Sequence, residues 1–318
     1  MAGYALRRLG TVLLLLVAMS LLVFLSTHAL PSNTAELILG QYSTPATRAA
    51  LEHKLGLDQP LPVQYWRWAS AMMHGDMGQS LVMERPIAPM LWFAFSNSAI
   101  LAISAMTVVA TLGVAMGVAA AVWHARWPDY TISIFTYLGI SVPEFYWGLV
   151  LILVVGSVFH LLPTSGVGNI NNGLLSYASF LVLPVITLTL TLLAHVSRLT
   201  RSSMAEELDS MYVKVARARG LPEHRVILRH ALRNALLPTI TVLAQDFGFL
   251  IGGIVAVETI FAYPGLGQLL IFAMQRQDLP VMQAAILVLT AVFCIANLAA
   301  DLLYGVINPR IRYGAAVE

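Results

Sequence analysis

The chain has 318 residues, of which 58% are hydrophobic and only 11% charged, and its mean hydropathy is +0.77. Soluble globular domains carry about 25% charged residues, so the composition excludes that class and points to an integral membrane protein. A formal net charge of +2 is too small to suggest a nucleic-acid partner, and one cysteine, Cys294, leaves no disulfide or Cys-based metal framework to read.

After Arg7 and Arg8, residues 9–30 contain no Lys, Arg, Asp or Glu. Secretory signal cores run about 7 to 15 residues, whereas this run is long enough to cross a hydrocarbon layer of about 30 Å. It reads as a retained first span, residues 1–30. Residues 31–95 turn mixed in composition, with the proline pairs Pro60/Pro62 and Pro86/Pro89 and the aromatics Tyr65, Trp66 and Trp68, as expected of a small extramembrane unit. A core of five more spans is expected over residues 96–307, and a tail over residues 308–318.

The second span is expected over residues 96–123, with Gly113, Gly117 and Ala121 forming a small-residue surface for helix packing. The third, residues 131–161, is interrupted by Ser141-Val142-Pro143-Glu144-Phe145. Pro143 removes a backbone donor and should kink the helix, and Glu144 puts an ionisable group within the span. The fourth span is expected over residues 174–196.

A charged island follows. Of the chain's eighteen Lys and Arg residues, eight (Arg198, Arg201, Lys214, Arg217, Arg219, Arg225, Arg229 and Arg233) fall between residues 198 and 233. Burying them mid-bilayer would cost on the order of 20 kcal/mol at about 2.5 to 3.5 kcal/mol each, so the segment must lie in water or against a soluble protein. Its pattern is two short helices around a corner. Asp209 or Ser210 is placed to cap the first, which ends in cations at Gly220 before Pro222. Leu208, Met211, Val215 and Ala218 recur at helical spacing as one apolar stripe. The second is expected from Pro222 and Glu223 up to Pro238. Tyr212 reads as an interface anchor or as an aromatic at the membrane surface.

Span five is expected over residues 236–257, containing Asp246 and a second GxxxG at Gly248 and Gly252. A polar, re-entrant-looking stretch over 258–279 begins with Glu258, and span six covers 281–307. Six spans put both termini on one side. The segments on that side hold thirteen of the basic residues, against five (Arg48, Lys54, Arg67, Arg85 and Arg276) on the other, so the termini and the island are expected in the cytoplasm.

The run SSMAEELDSMYVKVARARGLPEHRVILRHALRNALLPTIT resembles the cytoplasmic loop of permeases in the dipeptide, oligopeptide and nickel branch of the ABC importers. Leu55-Gly56-Leu57-Asp58-Gln59-Pro60-Leu61, Gly75-Asp76-Met77-Gly78-Gln79-Ser80, the stretch from Val257 to Gln268, and Asn308-Pro309-Arg310-Ile311-Arg312 are similar to the same family, in order along nearly the whole chain. Gly220 and Ala216 match the broader importer motif, while Lys214 occupies the place of its glutamate. Pro31-Ser32-Asn33, where relatives carry Gly-Asp-Pro, and Asp246, where an uncharged residue is usual, are further departures.

The resemblance implies the six-helix type I permease architecture and a coupling loop over 198–235. Its first short helix would dock on an ATP-hydrolysing subunit through Asp209, Met211, Tyr212, Val215, Ala216, Arg217, Arg219 and Gly220. It also implies a second, homologous permease subunit, two ATP-binding subunits that carry the ATP and Mg, an external solute-binding protein, and residence in a bacterial cytoplasmic membrane. The cargo would be a dipeptide, an oligopeptide or a similar small solute, with nickel or a metal chelate as the alternative within the family.

No cofactor is expected in the chain itself. A phosphate-cradling loop needs Gly-Lys before Ser or Thr. The chain's two lysines, Lys54 and Lys214, follow His53 and Val213 instead. HExxH, CxxC and GxSxG are absent too, so no catalytic residue is assigned. His160 and His195 have no second ligand at metal-binding spacing and read as interfacial. Glu144, Asp246 and Glu258 have two readings: a proton or cation relay, as in an ion-coupled secondary transporter, or pathway lining, gating and helix packing. Thr187, Thr189, Thr191 and Asn297 are candidates to line a passage wide enough for a peptide.

Overall fold

The computed structural model describes residues 2–29, 44–55, 58–169, 171 and 173–307. The tail 308–318 with its Asn308-Pro309-Arg310-Ile311-Arg312 motif, the Pro31-Ser32-Asn33 departure, and Gly56 and Leu57 of the first loop motif lie outside the described residues.

The described residues are all-α, apart from one isolated antiparallel bridge between Gln79 and Pro86. In chain order they form α1 (Ala2–Ala29), α2 (Pro45–Leu55), α3 (Leu61–Met73), α4 (Ile87–Val122), α5 (Trp127–Ser141) and α6 (Glu144–Val158). These are followed by α7 (Leu174–Asp209), α8 (Met211–Ala218), α9 (Glu223–Ile260), α10 (Leu266–Gln275) and α11 (Leu279–Ile307). Within α1, α4, α7, α9 and α11, five helices are long and apolar enough to cross a membrane; α5 and α6 together make a sixth span if the bent pair counts as one.

Three element boundaries differ from the sequence expectation. The second span begins at Ile87, not residue 96, because Pro86 supplies the extended residue that starts α4. The fourth does not stop at residue 196: α7 runs to Asp209, so Arg198 and Arg201 of the charged island lie on the same continuous helix as the apolar span. The second short helix of the island does not end at Pro238. It continues from Glu223 through a wider-wound stretch, Val226–Ala231, and past Pro238 into span five. In both helices the chain leaves the apolar region while its turns remain helical, because α7 and α9 support one another by packing.

The third span is the one that breaks. Val142 and Pro143 are extended, and α5 and α6 meet at 103°. Pro143 can neither donate a helical hydrogen bond nor allow Val142 before it to stay in the helical region. The consequence is sharper than the expected kink: Glu144 opens a new helix.

α7 is the central helix, with α4, α5, α6 and α9 packed around it. Half of its apolar window is buried, against 11% for α1 at the periphery. Small residues permit the closest approach: a Cβ at Gly117 would lie 2.6 Å from the Ser197 carbonyl oxygen, so only glycine lets α4 sit that close to α7. Gly248 packs similarly on Asn297, while Gly252 faces open space, so the second GxxxG is only half used inside the chain.

At one end of the bundle, Ile87, Leu91, Leu266 and Val281 form an apolar cluster. The segment between α1 and α4 is fastened there. Asp278, completely buried, accepts hydrogen bonds from Ser80 Oγ at 2.5 Å and from the backbone N–H groups of Leu81 and Val82 at 3.3 Å. α3 leans on α1 through Tyr65, whose hydroxyl bonds Ser20 at 2.8 Å. At the opposite end a second cluster joins Met204, Val213, Ala216, Val226 and Ala231.

Candidate functional site

Two features hold the candidate residues: the short helix α8 and a cavity between α5, α6, α7 and α9. α8 is separated from α7 by Ser210 alone, whose extended backbone (φ −62, ψ 153) turns the chain. The expected side-chain cap is not made. Ser210 Oγ instead donates back to the Glu207 carbonyl at 2.5 Å, and α8 has no side-chain N-cap bond from either Ser210 or Asp209. The reason is local competition: the end of α7 lies one residue away and offers a free carbonyl.

The other end of α8 closes as a Schellman motif. Gly220 N–H donates to Arg217 O at 2.9 Å and Leu221 N–H to Ala216 O at 3.4 Å, with Gly220 at φ +76. Arg217 and Glu223 then pair across the corner at 2.6 Å, both well exposed, so the pair orients the turn more than it stabilises it.

The faces of α8 are distinct. Val213 is fully buried and Ala216 nearly so, one turn apart, and both pack against Met204 and Val226. Met211 (75% exposed), Val215 (43%) and Ala218 point away, with Arg217 and Arg219 also exposed. Of the residues singled out for ATPase coupling, Ala216 therefore sits in this chain's own core, while Met211 and Val215 form an apolar surface left exposed by the described residues. Tyr212 shares in both: its ring is partly exposed, while its hydroxyl donates to Glu207 at 2.5 Å and accepts from Asn234 Nδ2 at 3.0 Å. Burial, and then the Glu207 carboxylate, push the Tyr212 phenol up from its ordinary value. Val213 was missed from sequence, although its spacing from Ala216 is the signal that could have found it.

The cavity, about 490 Å³, is lined by Ile140 of α5, Glu144 of α6, Thr191, His195 and Arg198 of α7, and Asp246, Phe249 and Gly253 of α9, together with three leucines. Periodicity explains the set. Residues 191, 195 and 198 fall on one face of α7, and 246, 249 and 253 on one face of α9.

The fold brings Glu144 and Asp246 to the same cavity and adds His195, whose Nδ1 lies 3.1 Å from Asp246 Oδ1. The Asp246 side chain is only 3% exposed, and its Oδ2 finds no hydrogen-bond partner among the described residues. The Glu144 carboxylate lies directly against Gly253, where any side chain would collide with it. His195 is thus no mere interfacial histidine, but its carboxylate partner is 51 positions away and invisible to spacing rules. Of the candidate passage residues, Thr191 lines the cavity, whereas Thr187 is fully buried and bonded to Leu183 O.

Glu258 is elsewhere. Fully buried, it accepts from Ser98 Oγ at 2.5 Å, Gly267 N–H at 2.7 Å and Gln268 N–H at 3.3 Å, while Ser98 Oγ accepts from Leu266 N–H at 2.8 Å. It satisfies the orphan donors at the start of α10 and folds the 261–266 turn back on α4. Among the described residues no three His, Cys, Asp or Glu side chains are grouped so as to hold a metal ion.

The chain matches two family patterns that together cover nearly all of it. One is "Binding-protein-dependent transport system inner membrane component", over residues 113–313; the other is the N-terminal region of such membrane components, over residues 1–119. Among curated relatives, the glutathione transport system permease protein GsiC of Salmonella paratyphi A is 39% identical over 313 residues, 98% of this chain and 100% of the relative. The protein of that name from Salmonella typhi is 38% identical and that from Escherichia coli 39%, over the same shares of both chains. Among solved structures, a crystal structure of an amino acid ABC transporter with histidines superposes with a TM-score of 0.50 at 16% identity, covering 70% of this chain and 94% of that one. That likeness concerns the fold alone.

Proposed function

This chain belongs to the family of binding-protein-dependent transport system inner membrane components, and from that premise we propose that it moves a small peptide of the glutathione kind, driven by ATPase subunits that dock on α8. The chain is a permease subunit of an ABC importer and no enzyme. The ion-gradient reading of Glu144 and Asp246 is set aside with that membership.

The observation that carries the docking proposal is the division of α8 into two faces. Val213 and Ala216 anchor it to α7 and α9, and Met211 and Val215 leave an apolar surface that no described residue covers. A helix of eight residues is marginal alone, but anchored on one face it transmits a push on the other to α7 and α9. Those two helices supply most of the cavity lining. A second, homologous permease and an external solute-binding protein complete the assembly. In this arrangement the termini and α8 face the cytoplasm, as the thirteen-to-five distribution of basic residues supports.

The peptide cargo is supported by the relatives' name and by a cavity lined with both acidic and basic side chains. The test is ATP-dependent uptake by the complete transporter in proteoliposomes with its own binding protein, comparing labelled glutathione and short peptides with nickel. Uptake of nickel without peptide overturns the cargo. In a Cys294→Ser background, Lys214→Cys should react only from the cytoplasmic side and Asn171→Cys only from the other. Reaction of both from one side overturns the orientation.

A further inference from the structure

We infer that His195 and Arg198 form a site for a carboxylate of the transported peptide in the cavity between α5, α6, α7 and α9, with Asp246 as the buried residue that positions His195. The inference rests on the peptide reading above and adds which end of the cavity takes the solute's negative charge, and by which groups.

The two edges of the His195 ring have different surroundings. Nδ1 lies 3.1 Å from Asp246 Oδ1, and Asp246, its side chain 3% exposed, sits behind the ring with almost no surface in the cavity. Asp246 Oδ2 is buried too, so this carboxylate meets no solute directly. Nε2, at the far edge, has no hydrogen-bond partner among the described residues, yet it is not one of the buried unpartnered atoms. The side chain that carries it is 44% exposed and lines the cavity. A buried carboxylate needs a counter-charge, and among the described residues only His195 can supply one to Asp246 within hydrogen-bond distance. As an imidazolium, His195 donates Nδ1–H to Asp246 and offers Nε2–H to the cavity.

Arg198 is the second donor. It follows His195 by three residues, which puts the two Cβ atoms about 5 to 6 Å apart on one face of the helix. Arg198 lines the cavity, is exposed, and makes no ion pair among the described residues, whereas Arg201, one turn further along α7, is held by Asp129. Asp246 balances one of the two charges. The pair therefore leaves one positive charge and two sets of N–H donors on one face, which is what a carboxylate requires. The cavity's other acid lies away from them. α7 and α9 run in opposite directions, since Thr200 meets Thr239 and His195 meets Asp246. Glu144 lies against Gly253, seven residues and roughly 10 Å beyond Asp246 along α9, and Arg198 lies on the opposite side of the Asp246 level. One end of the cavity is thus acidic and the other cationic, and a carboxylate is drawn to the His195 and Arg198 end.

The test uses the complete transporter in nanodiscs without its binding protein. Equilibrium binding of a radiolabelled tripeptide with a free carboxyl terminus is compared with that of its C-terminal amide. Wild type should prefer the free acid. His195→Gln and Arg198→Gln, measured separately so that poor assembly of one leaves the other to decide, should each weaken the acid by about tenfold, the loss of one charge-assisted hydrogen bond. Neither should change the amide, whose binding also reports that the variant is assembled. Asp246→Asn should weaken the acid as well, but add nothing once His195 is replaced, because Asp246 acts only through His195. A carboxylate with a purely structural role would instead weaken both peptides alike when replaced. Absence of binding in wild type, equal wild-type affinity for acid and amide, or equal losses of both peptides in His195→Gln and Arg198→Gln overturns the inference. Loss of both peptides alike in Asp246→Asn overturns the positioning role. ATP-dependent uptake of the same tripeptide with the binding protein is measured in parallel. If wild type takes up no peptide at all, the cargo reading has failed; if uptake is normal and the binding preference absent, only the carboxylate site has failed.

Discussion

Arg201 grips both oxygens of Asp129, with Nε 2.6 Å from Oδ1 and Nη2 2.7 Å from Oδ2, and so locks the first turn of α5 to the cationic end of α7. Asp129 is buried while Arg201 is about a third exposed, and Ala125 N–H adds a third bond to the carboxylate at 3.0 Å. Asp129→Asn keeps the volume but loses the charge-assisted fork. Because Arg201 is partly solvated, the expected cost is moderate, about 1 to 3 kcal/mol, seen as earlier thermal unfolding of the purified transporter. Arg201→Lys should recover little of it, since an ammonium cannot make the paired bonds. Unchanged melting of both variants would show that the pair is ornamental.

Gly220 sits at φ +76 with nothing within 4 Å of where a Cβ would be. Any penalty of substitution there is conformational, not steric crowding. Gly220→Asn, which tolerates the left-handed region, should keep α8 and transport. Gly220→Val should strain the Schellman turn, and ATP hydrolysis should no longer drive uptake although the chain still inserts. Equal transport by the two variants would contradict the role assigned to this turn.

The two faces of α8 should separate cleanly in mutagenesis. Met211→Asp and Val215→Asp place a charge on an exposed surface and should leave the stability of the isolated chain unaltered while preventing co-purification of the ATPase. Val213→Asp buries an unpaired carboxylate at a fully buried position and should destabilise the chain itself by about 3 kcal/mol or more. Retention of the ATPase by both exposed-face variants would exclude this face as the docking surface.

Removing the Glu258 carboxylate leaves Gly267 N–H, Gln268 N–H and Ser98 without their acceptor. Glu258→Ala should cost about 3 to 5 kcal/mol and expose residues 261–279 to proteolysis from the side opposite α8. Gly265→Ala, whose methyl would overlap the same carboxylate, should do so more mildly. Protease resistance equal to wild type in Glu258→Ala would mean that α10 is held by its apolar contacts alone.

The amino-acid sequence alone determined the membrane character, the approximate spans, an interruption at Pro143 and the end of the first island helix at Gly220. Each depends on local physics: transfer free energies that add along a run of residues, a missing N–H, a missing Cβ. Helix ends were less legible, because α7 and α9 stay helical beyond their apolar stretches once they have each other to pack against. On α8 two apolar pairs, Met211 with Val215 and Val213 with Ala216, are equally periodic, and only the position of Met204 and Val226 decides which pair is buried. The polar contacts that matter most, His195 with Asp246, Ser98 with Glu258 and Ser80 with Asp278, join residues 51, 160 and 198 positions apart. Their partners were set by how the helices pack, since a buried carboxylate bonds whichever donors the packed helices bring within about 3 Å, and no spacing along the chain encodes that.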